Sequence, residues 1–233
     1  MPTTTQPLRL APAPSPTLCL DFANTRYWRG QPAPTESLVD YAALVRWLTM
    51  SGVVDAGTAA RLQALPAADE TAAAALFDDA LQLRERLYRI CSVIAAQPVA
   101  SGASDRPAAD APPQAPDEAD ITALGALVAA APARRQWVFG TSPGAEKGWA
   151  LMLVAPTLPE VLAPVLWSAA DLLLSLARHP LRACANPQCR WLFIDDSKGA
   201  TRRWCSMSAC GNRAKAQRHY RRRTGDQPRS PRR

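Results

Sequence analysis

Membrane-length apolar runs, histidines and nucleotide-binding glycine motifs are what this sequence of 233 residues has little or none of. The longest apolar candidate, Val161 to Ala177, is interrupted by Pro164 and Asp171 and reads as a core helix, short of the roughly eighteen uncharged residues a span needs. No membrane partner is expected. The amino terminus, MPTTTQPLRLAPAPSP, shows no basic start followed by an apolar stretch, so a secretory signal is not expected and a cytoplasmic location is. Histidine occurs only as His179 and His219, neither with an apparent partner, and no phosphate-binding glycine loop, nucleophile elbow or His–Glu metal motif occurs. An enzyme is therefore not expected. There is no internal repeat.

What is present is ample apolar material divided by breaks. Hydrophobic residues make up 48% of a 25.1 kDa chain, enough to bury a core; much of that is alanine, which favours helix, and 22 prolines separate the elements. Residues 1–16 are rich in Pro and Thr and are expected to be mobile. In "LCLDFANT", Leu18, Leu20 and Phe22 alternate and read as a short strand, with an extended entry to a helical domain as the other reading. Glu36 to Ser51 has helical spacing, with Thr35 as N-cap and Gly52 as stop. Asp55 to Leu65 is a second helix and Ala72 to Ala96 a longer one, its buried stripe formed by Leu76, Ala80, Leu83, Leu87, Ile90 and Ile94. Gln97 to Glu118 has no large apolar residue except Val99 and reads as a flexible loop. Ala119 to Ala131 is a further helix, Trp137–Phe139 and Trp149–Val154 flank a turn and predict a β-hairpin, and a last body helix runs from Pro159 or Pro164 to near Arg178.

Cysteine is unevenly used. Cys19 and Cys91 stand alone in apolar surroundings and read as core residues, whereas Cys184, Cys189, Cys205 and Cys210 form two pairs with equal internal spacing. In a reducing compartment such pairs point to metal rather than to disulfides. Two short chelate loops joined by a longer one satisfy a tetrahedral zinc site with thiolates about 2.3 Å from the ion. Four thiolates leave no open position, so the expected ion is one structural Zn2+, an iron–sulfur cluster being the alternative with the less fitting spacing. "CANPQC" contains the Asn-Pro of a tight turn; "RWLFID" and "TRRWCS" read as strands of a hairpin around "DSKGA". Ser208 reads as the cap of a helix that carries Cys210 near its start. Knuckle, hairpin and helix make a treble-clef-like module.

Charge separates along the chain as well. Residues 178–233 hold 15 Lys and Arg against 3 acids, net +12, while residues 1–177 hold 12 against 17, net −5. On the final helix, Lys215, Arg218 and Arg222 share an outward face, with Arg221 and Arg202 as further cations. Arg213 lies among small and aromatic residues and reads as structural, pairing with Asp195, Asp196 or the thiolates. An exposed cationic stripe of this kind suits a phosphate backbone; the alternative is a solvated surface that offsets the negative metal cluster. Asp21, Asn24, Thr25 and Arg26 form a polar group that lines a pocket or caps and turns the chain.

The carboxy-terminal segment resembles the CGNR zinc-finger family, through Cys210, Gly211, Asn212 and Arg213, the paired cysteines and "RRWCS". The preceding body, through "LCLDFANT" and its succession of helices, resembles the ABATE domain of bacterial proteins described as stress-induced transcription regulators. The resemblance implies zinc ligation by Cys184, Cys189, Cys205 and Cys210, with Gly211, Asn212 and Arg213 as structural motif residues. The expected fold class is mainly α (α+β), a multi-helical amino-terminal domain with a small antiparallel sheet followed by the zinc module. The expected division is a mobile 1–16, an ABATE-like domain at 17–178, a finger with its basic helix at 179–223 and a disordered basic tail at 224–233. The expected function is a zinc-stabilised DNA-binding transcription regulator whose body senses or dimerises. A homodimer and a small-molecule effector stay open, as do RNA binding and a protein-interaction adaptor.

Overall fold

In a computed structural model of the chain, the described residues are 15, 17–54, 56–97, 115–132, 136–138, 148–150, 157–176 and 180–224. All but residue 15 of the amino-terminal segment expected to be mobile, most of the 97–118 loop, the hairpin turn, the end of the last body helix with His179, and the basic tail beyond residue 224 lie outside them.

The body is mostly helical. It comprises α1 (Leu18–Ala23), α2 (Tyr41–Met50), α3 (Ala56–Ala68), α4 (Glu70–Ala96), α5 (Glu118–Ala130), α6 (Leu158–Val161) and α7 (Ala163–Ser175). Two small antiparallel sheets accompany them, β1 (Arg26–Tyr27) with β2 (Thr35–Glu36) and β3 (Gln136–Val138) with β4 (Gly148–Ala150). The finger contains β5 (Leu181–Ala183), β6 (Leu192–Ile194), a π-helical turn at Met207–Gly211 and α8 (Asn212–Thr224).

α4 is the axis of the body, meeting α1, α2, α3, α5 and α6 as well as both strands of the finger. The periodicity explains why: Leu76, Ala80, Leu83, Leu87 and Ile90 are all buried on one face, and Ile94 packs against the same core. Its first turn is closed by the Asp69 carboxylate, which accepts from the Ala72 N–H at 2.8 Å. Pro98 lies just past its end, where a residue without an N–H cannot continue the helix.

"LCLDFANT" is corrected by the structure. It forms helix α1, with Leu18, Cys19, Leu20, Phe22 and Ala23 all buried between α4 and α7. A short run with apolar residues on every side satisfies either period, and burial all round removes the alternation on which a strand reading depends. The cap of α2 is corrected too. Thr35 and Glu36 pair with Tyr27 and Arg26, so the helix starts later and is capped by Asp40, whose Oδ1 accepts from Ala43 N–H at 2.6 Å. Gly52 ends it with φ +68°, a conformation glycine adopts without strain.

Charged side chains fasten these helices to one another. Asp120, buried at the start of α5, receives Arg89 of α4 in a two-pronged pair at 2.6 and 2.7 Å, and the Arg89 bond holds its carboxyl below the usual range against burial. Arg84, almost fully buried, binds Glu36 at 2.6 Å and Glu85 at 3.0 Å. Arg29 takes the other side of Glu85 at 2.7 Å and stacks 3.7 Å above the Tyr88 ring. Burial alone would raise Glu85; Arg29, Arg84 and Arg26 together outweigh it and hold the carboxyl below its ordinary value.

Candidate metal centre and basic helix

The four sulfurs of Cys184, Cys189, Cys205 and Cys210 lie within 4.8 Å of one another, and Cys189 Sγ is 3.8 Å from Cys205 Sγ. A tetrahedron with metal–sulfur bonds of about 2.3 Å has edges of about 3.8 Å, so zinc fits this donor set. Cys184, Cys189 and Cys210 are buried and Cys205 is half-buried.

Local sequence explains how the first pair converges. Asn186 turns the chain: its carbonyl accepts from Cys189 N–H at 2.9 Å and its side-chain oxygen from Gln188 N–H at 3.1 Å. The turn is the tip of the β5–β6 hairpin, whose ladder continues through Cys184 N–H to Trp191 C=O at 2.8 Å. Here the structure corrects the expected hairpin. "RWLFID" pairs backward with Leu181–Ala183, not forward with "TRRWCS", because bringing Cys184 and Cys189 to one point already folds their flanks antiparallel. "TRRWCS" has no strand; it is held by Ala185 N–H to Arg203 C=O at 2.8 Å and by buried Asp195.

Asp195 organises the long loop. One carboxylate oxygen accepts from Ser197 N–H and Oγ at 3.1 and 2.6 Å, the other from Arg202 N–H at 3.0 Å, and Arg182 Nε stands 3.6 Å away. Ser206, rather than Ser208, caps the following turn, accepting from Ala209 N–H at 3.4 Å. Cys210 therefore sits in the first turns of a helical segment, where free N–H groups and the dipole favour a thiolate.

Hydrogen bonds to the Cys184 sulfur act in the same direction, at the expense of the two thiols that donate them. Among the sulfurs alone, Cys184 is held down to about 2, chiefly because the thiols of Cys189 and Cys205 donate to it, with added bonds from the backbone N–H groups of Cys205 and Asn186. Cys189 is pushed up as a donor to Cys184, and Cys205 up to about 12 for the same reason. The Asn186 amide reaches Cys210 Sγ at 3.6 Å. Zinc would replace the shared protons in this cluster and bind all four sulfurs as thiolates, with no position left for substrate. Cys19 and Cys91 are different: burial pushes Cys19 up to about 11 and Cys91 higher still, so both are neutral core thiols.

The finger does not stand alone. Its small core consists of Cys184, Cys189, Phe193 and Cys210, surrounded by Trp191, Trp204, Cys205 and one residue from the body, Trp28. The backbone beside Trp28 lies flat on the knuckle: Gly30 N–H donates to Gln188 C=O at 3.1 Å, and a Cβ at Gly30 would fall 1.7 Å from the Pro187 carbonyl oxygen. Buried Asn24 pairs with β6 as a strand would, its amide donating to Leu192 C=O at 2.9 Å and its oxygen accepting from Leu192 N–H at 3.0 Å. Tyr88 of α4 donates its hydroxyl to Arg190 C=O at 2.8 Å. None of these body residues is close in sequence to the cysteines. Only Asn24 stood in a stretch marked by its polarity, where Thr25 bonds the Phe22 carbonyl at 2.7 Å as a cap and Arg26 faces Glu85.

The cations divide into two groups. Arg213 does not pair with Asp195 or Asp196; its guanidinium lies 4.8 Å from the Trp28 ring centre, a cation–π contact that ties α8 to the body. Arg202 turns back onto the finger: Nε donates to Trp204 C=O at 3.1 Å, Nη2 to Cys205 C=O, and the group stacks 4.5 Å from the Phe193 ring. Gly211 is buried against Met207 and Trp204, and Asn212 reaches back to Ser208 C=O at 3.5 Å. Lys215 and Arg218 are exposed on α8, as are His219 and Tyr220. Arg221 and Arg222 belong to the same helix, with side chains outside the described residues.

Among the described residues, no helix is long and apolar enough to cross a membrane. Residues 181–223 match the CGNR zinc finger. Residues 17–175 match ABATE, described as a putative stress-induced transcription regulator. No curated protein matches the chain. The match over 17–175 takes in well over half of the 233 residues and the cysteine cluster lies in the second, so the chain belongs to the ABATE family and carries a zinc-binding CGNR finger at its carboxy-terminal end.

Proposed function

We propose that this protein is a non-enzymatic, DNA-binding transcription regulator in which one structural zinc ion per chain holds the finger and α8 presents its cations to the phosphate backbone. The observation that carries the reading is α8 itself. Its thirteen residues, NRAKAQRHYRRRT, contain no acid, and its packing falls mainly on the π-helical turn behind it. Lys215 and Arg218 consequently face solvent, with Arg222 one turn further on. A helix of like charges is self-repelling, and polyanion binding relieves that cost while releasing counterions.

The body supports the regulatory half of the reading, since Trp28, Gly30, Asn24 and Tyr88 all touch the finger. A sensing body coupled to a binding end needs such contacts. The test is a duplex-binding titration over a range of salt concentrations. Changing Lys215, Arg218 and Arg222 to Ala should weaken binding and lower the salt slope by roughly 3, close to one for each phosphate that is no longer neutralised. Zinc content should stay at one per chain. Unchanged affinity in the triple variant refutes the reading, and preference for single-stranded RNA or an acidic protein over duplex DNA replaces it.

A further inference from the structure

Helix α8 is held at its root and open along the rest of its length. Ser206 caps the turn that leads into it, Cys210 and Gly211 are buried, and the Arg213 guanidinium lies 4.8 Å from the Trp28 ring centre. From Lys215 to Tyr220 every residue is exposed, and so is Arg223. These six consecutive residues pass more than once round the helix axis, so the stretch is open to solvent on all sides. A surface helix normally covers an apolar stripe; beyond half-buried Ala214 the described residues of α8 cover none. The part from Lys215 to the helix end at Thr224 is a rod about 15 Å long.

Charge is spread around this rod. At about 100° per residue, with Lys215 as zero, Arg218 lies at about −60°, His219 at about +40° and Arg223 at about +80°. The cations therefore cover an arc of about 140°. One strand of phosphates, or a flat acidic surface, engages a single narrow face of a helix. A groove between two phosphate strands engages both flanks and the side between them. The major groove of B-form DNA, about 12 Å wide, admits an α-helix, and the minor groove, about 6 Å wide, does not. The major groove of an RNA duplex is too deep and narrow for side chains to read.

On the reading of α8 as the binding end, we propose that it enters the major groove of B-form DNA, so that its partner is duplex DNA and not duplex RNA. Arg218 and Arg223 reach phosphates of opposite strands. Lys215, near the middle of the arc, faces the base edges without leaving the field of the phosphates. Gln217, at about 200°, lies on the side turned away from the DNA. The Arg213–Trp28 contact fixes the direction in which the rod leaves the finger, so the body also sets how the groove is approached.

The experiment uses the full-length zinc-loaded protein and three duplexes of one mixed sequence: DNA, RNA, and DNA whose cytosines carry glucosylated 5-hydroxymethyl groups. Those sugars fill the major groove and leave the phosphates and the minor groove as they were. At about 0.15 M salt, plain DNA should bind about tenfold more tightly than either of the others. Arg223→Gln should weaken binding to plain DNA and lower the salt slope by roughly 1. Gln217→Lys adds a charge on the far side of the helix, beyond the screening length of roughly 8 Å, and should change affinity by less than about twofold. Zinc content should be unchanged in both variants. Equal or tighter binding to RNA or to the glucosylated duplex, or a gain in Gln217→Lys as large as the loss in Arg223→Gln, overturns the groove and leaves α8 as a phosphate-binding surface. Absence of binding to every duplex overturns it together with the regulator reading.

Discussion

Removing the Asn24 side chain tests whether the finger is built onto the body or merely follows it. Its amide fills both hydrogen-bonding positions of Leu192, at 2.9 and 3.0 Å, and both residues are buried. Asn24→Ala orphans a buried N–H and a buried C=O, at about 1 to 3 kcal/mol each. Partial entry of water brings the total to roughly 2 to 5 kcal/mol, and a melting temperature lowered by roughly 5 to 15 °C for a chain of this size. Asn24→Asp is the sharper variant. It keeps the shape and an acceptor for Leu192 N–H, but places a carboxylate oxygen against Leu192 C=O, so it should cost at least as much as Ala. Calorimetric unfolding of the zinc-loaded protein measures both, and transfer of zinc to a chelator should be faster in each variant. A loss below about 0.5 kcal/mol in both, which is ordinary for a surface substitution, refutes the argument that β6 depends on this amide.

Other outcomes follow from the same packing. Gly30→Ala forces a methyl to within 1.7 Å of the Pro187 carbonyl oxygen, which backbone cannot evade cheaply; overpacking of this kind costs about 1 to 3 kcal/mol and should show as reduced protection of the knuckle amides from hydrogen exchange. Cys205→Ser should abolish stoichiometric zinc by metal analysis and unfold the finger while the body keeps its helical signal, since structural zinc supplies on the order of 10 kcal/mol in small fingers. Asp120 titrates below its ordinary 3.8 when folded, so its stabilising effect is complete above that value and fades as pH falls through the depressed one. Asp120→Asn should therefore cost about 1 kcal/mol at neutral pH, the lower end for charged pairs because Arg89 is more than half exposed, and flatten the acid limb of the stability curve; an unchanged limb contradicts the pairing.

Legibility in the sequence followed the distance over which each interaction acts. The stripe of α4 was readable because one helical period decides which residues share a face. The convergence of the four cysteines was readable because each pair lies within a short loop, so spacing and chemistry suffice without knowing the fold. The strand reading of Leu18, Leu20 and Phe22 failed because a buried short helix erases the difference between periods. Pairing of "RWLFID" with "TRRWCS" failed because two segments competed for one strand, and the turn at Asn186 gave the advantage to Leu181–Ala183. The partner of Arg213 could not be read from its neighbours at all, since Trp28 lies far away in the chain.

By itself the sequence determined that the chain is largely helical, that four cysteines are paired as a candidate metal set, and that a basic helix follows an acidic body. Those properties reside in composition, period and local spacing. Only the tertiary structure decided that Asn24 completes β6, that Trp28 enters the core of the finger, that Arg202 turns back onto the finger, and that Arg213, although exposed, lies over the Trp28 ring. Each of those depends on residues remote in sequence meeting in space, and the long-range packing of α4 against both modules is what brings them together.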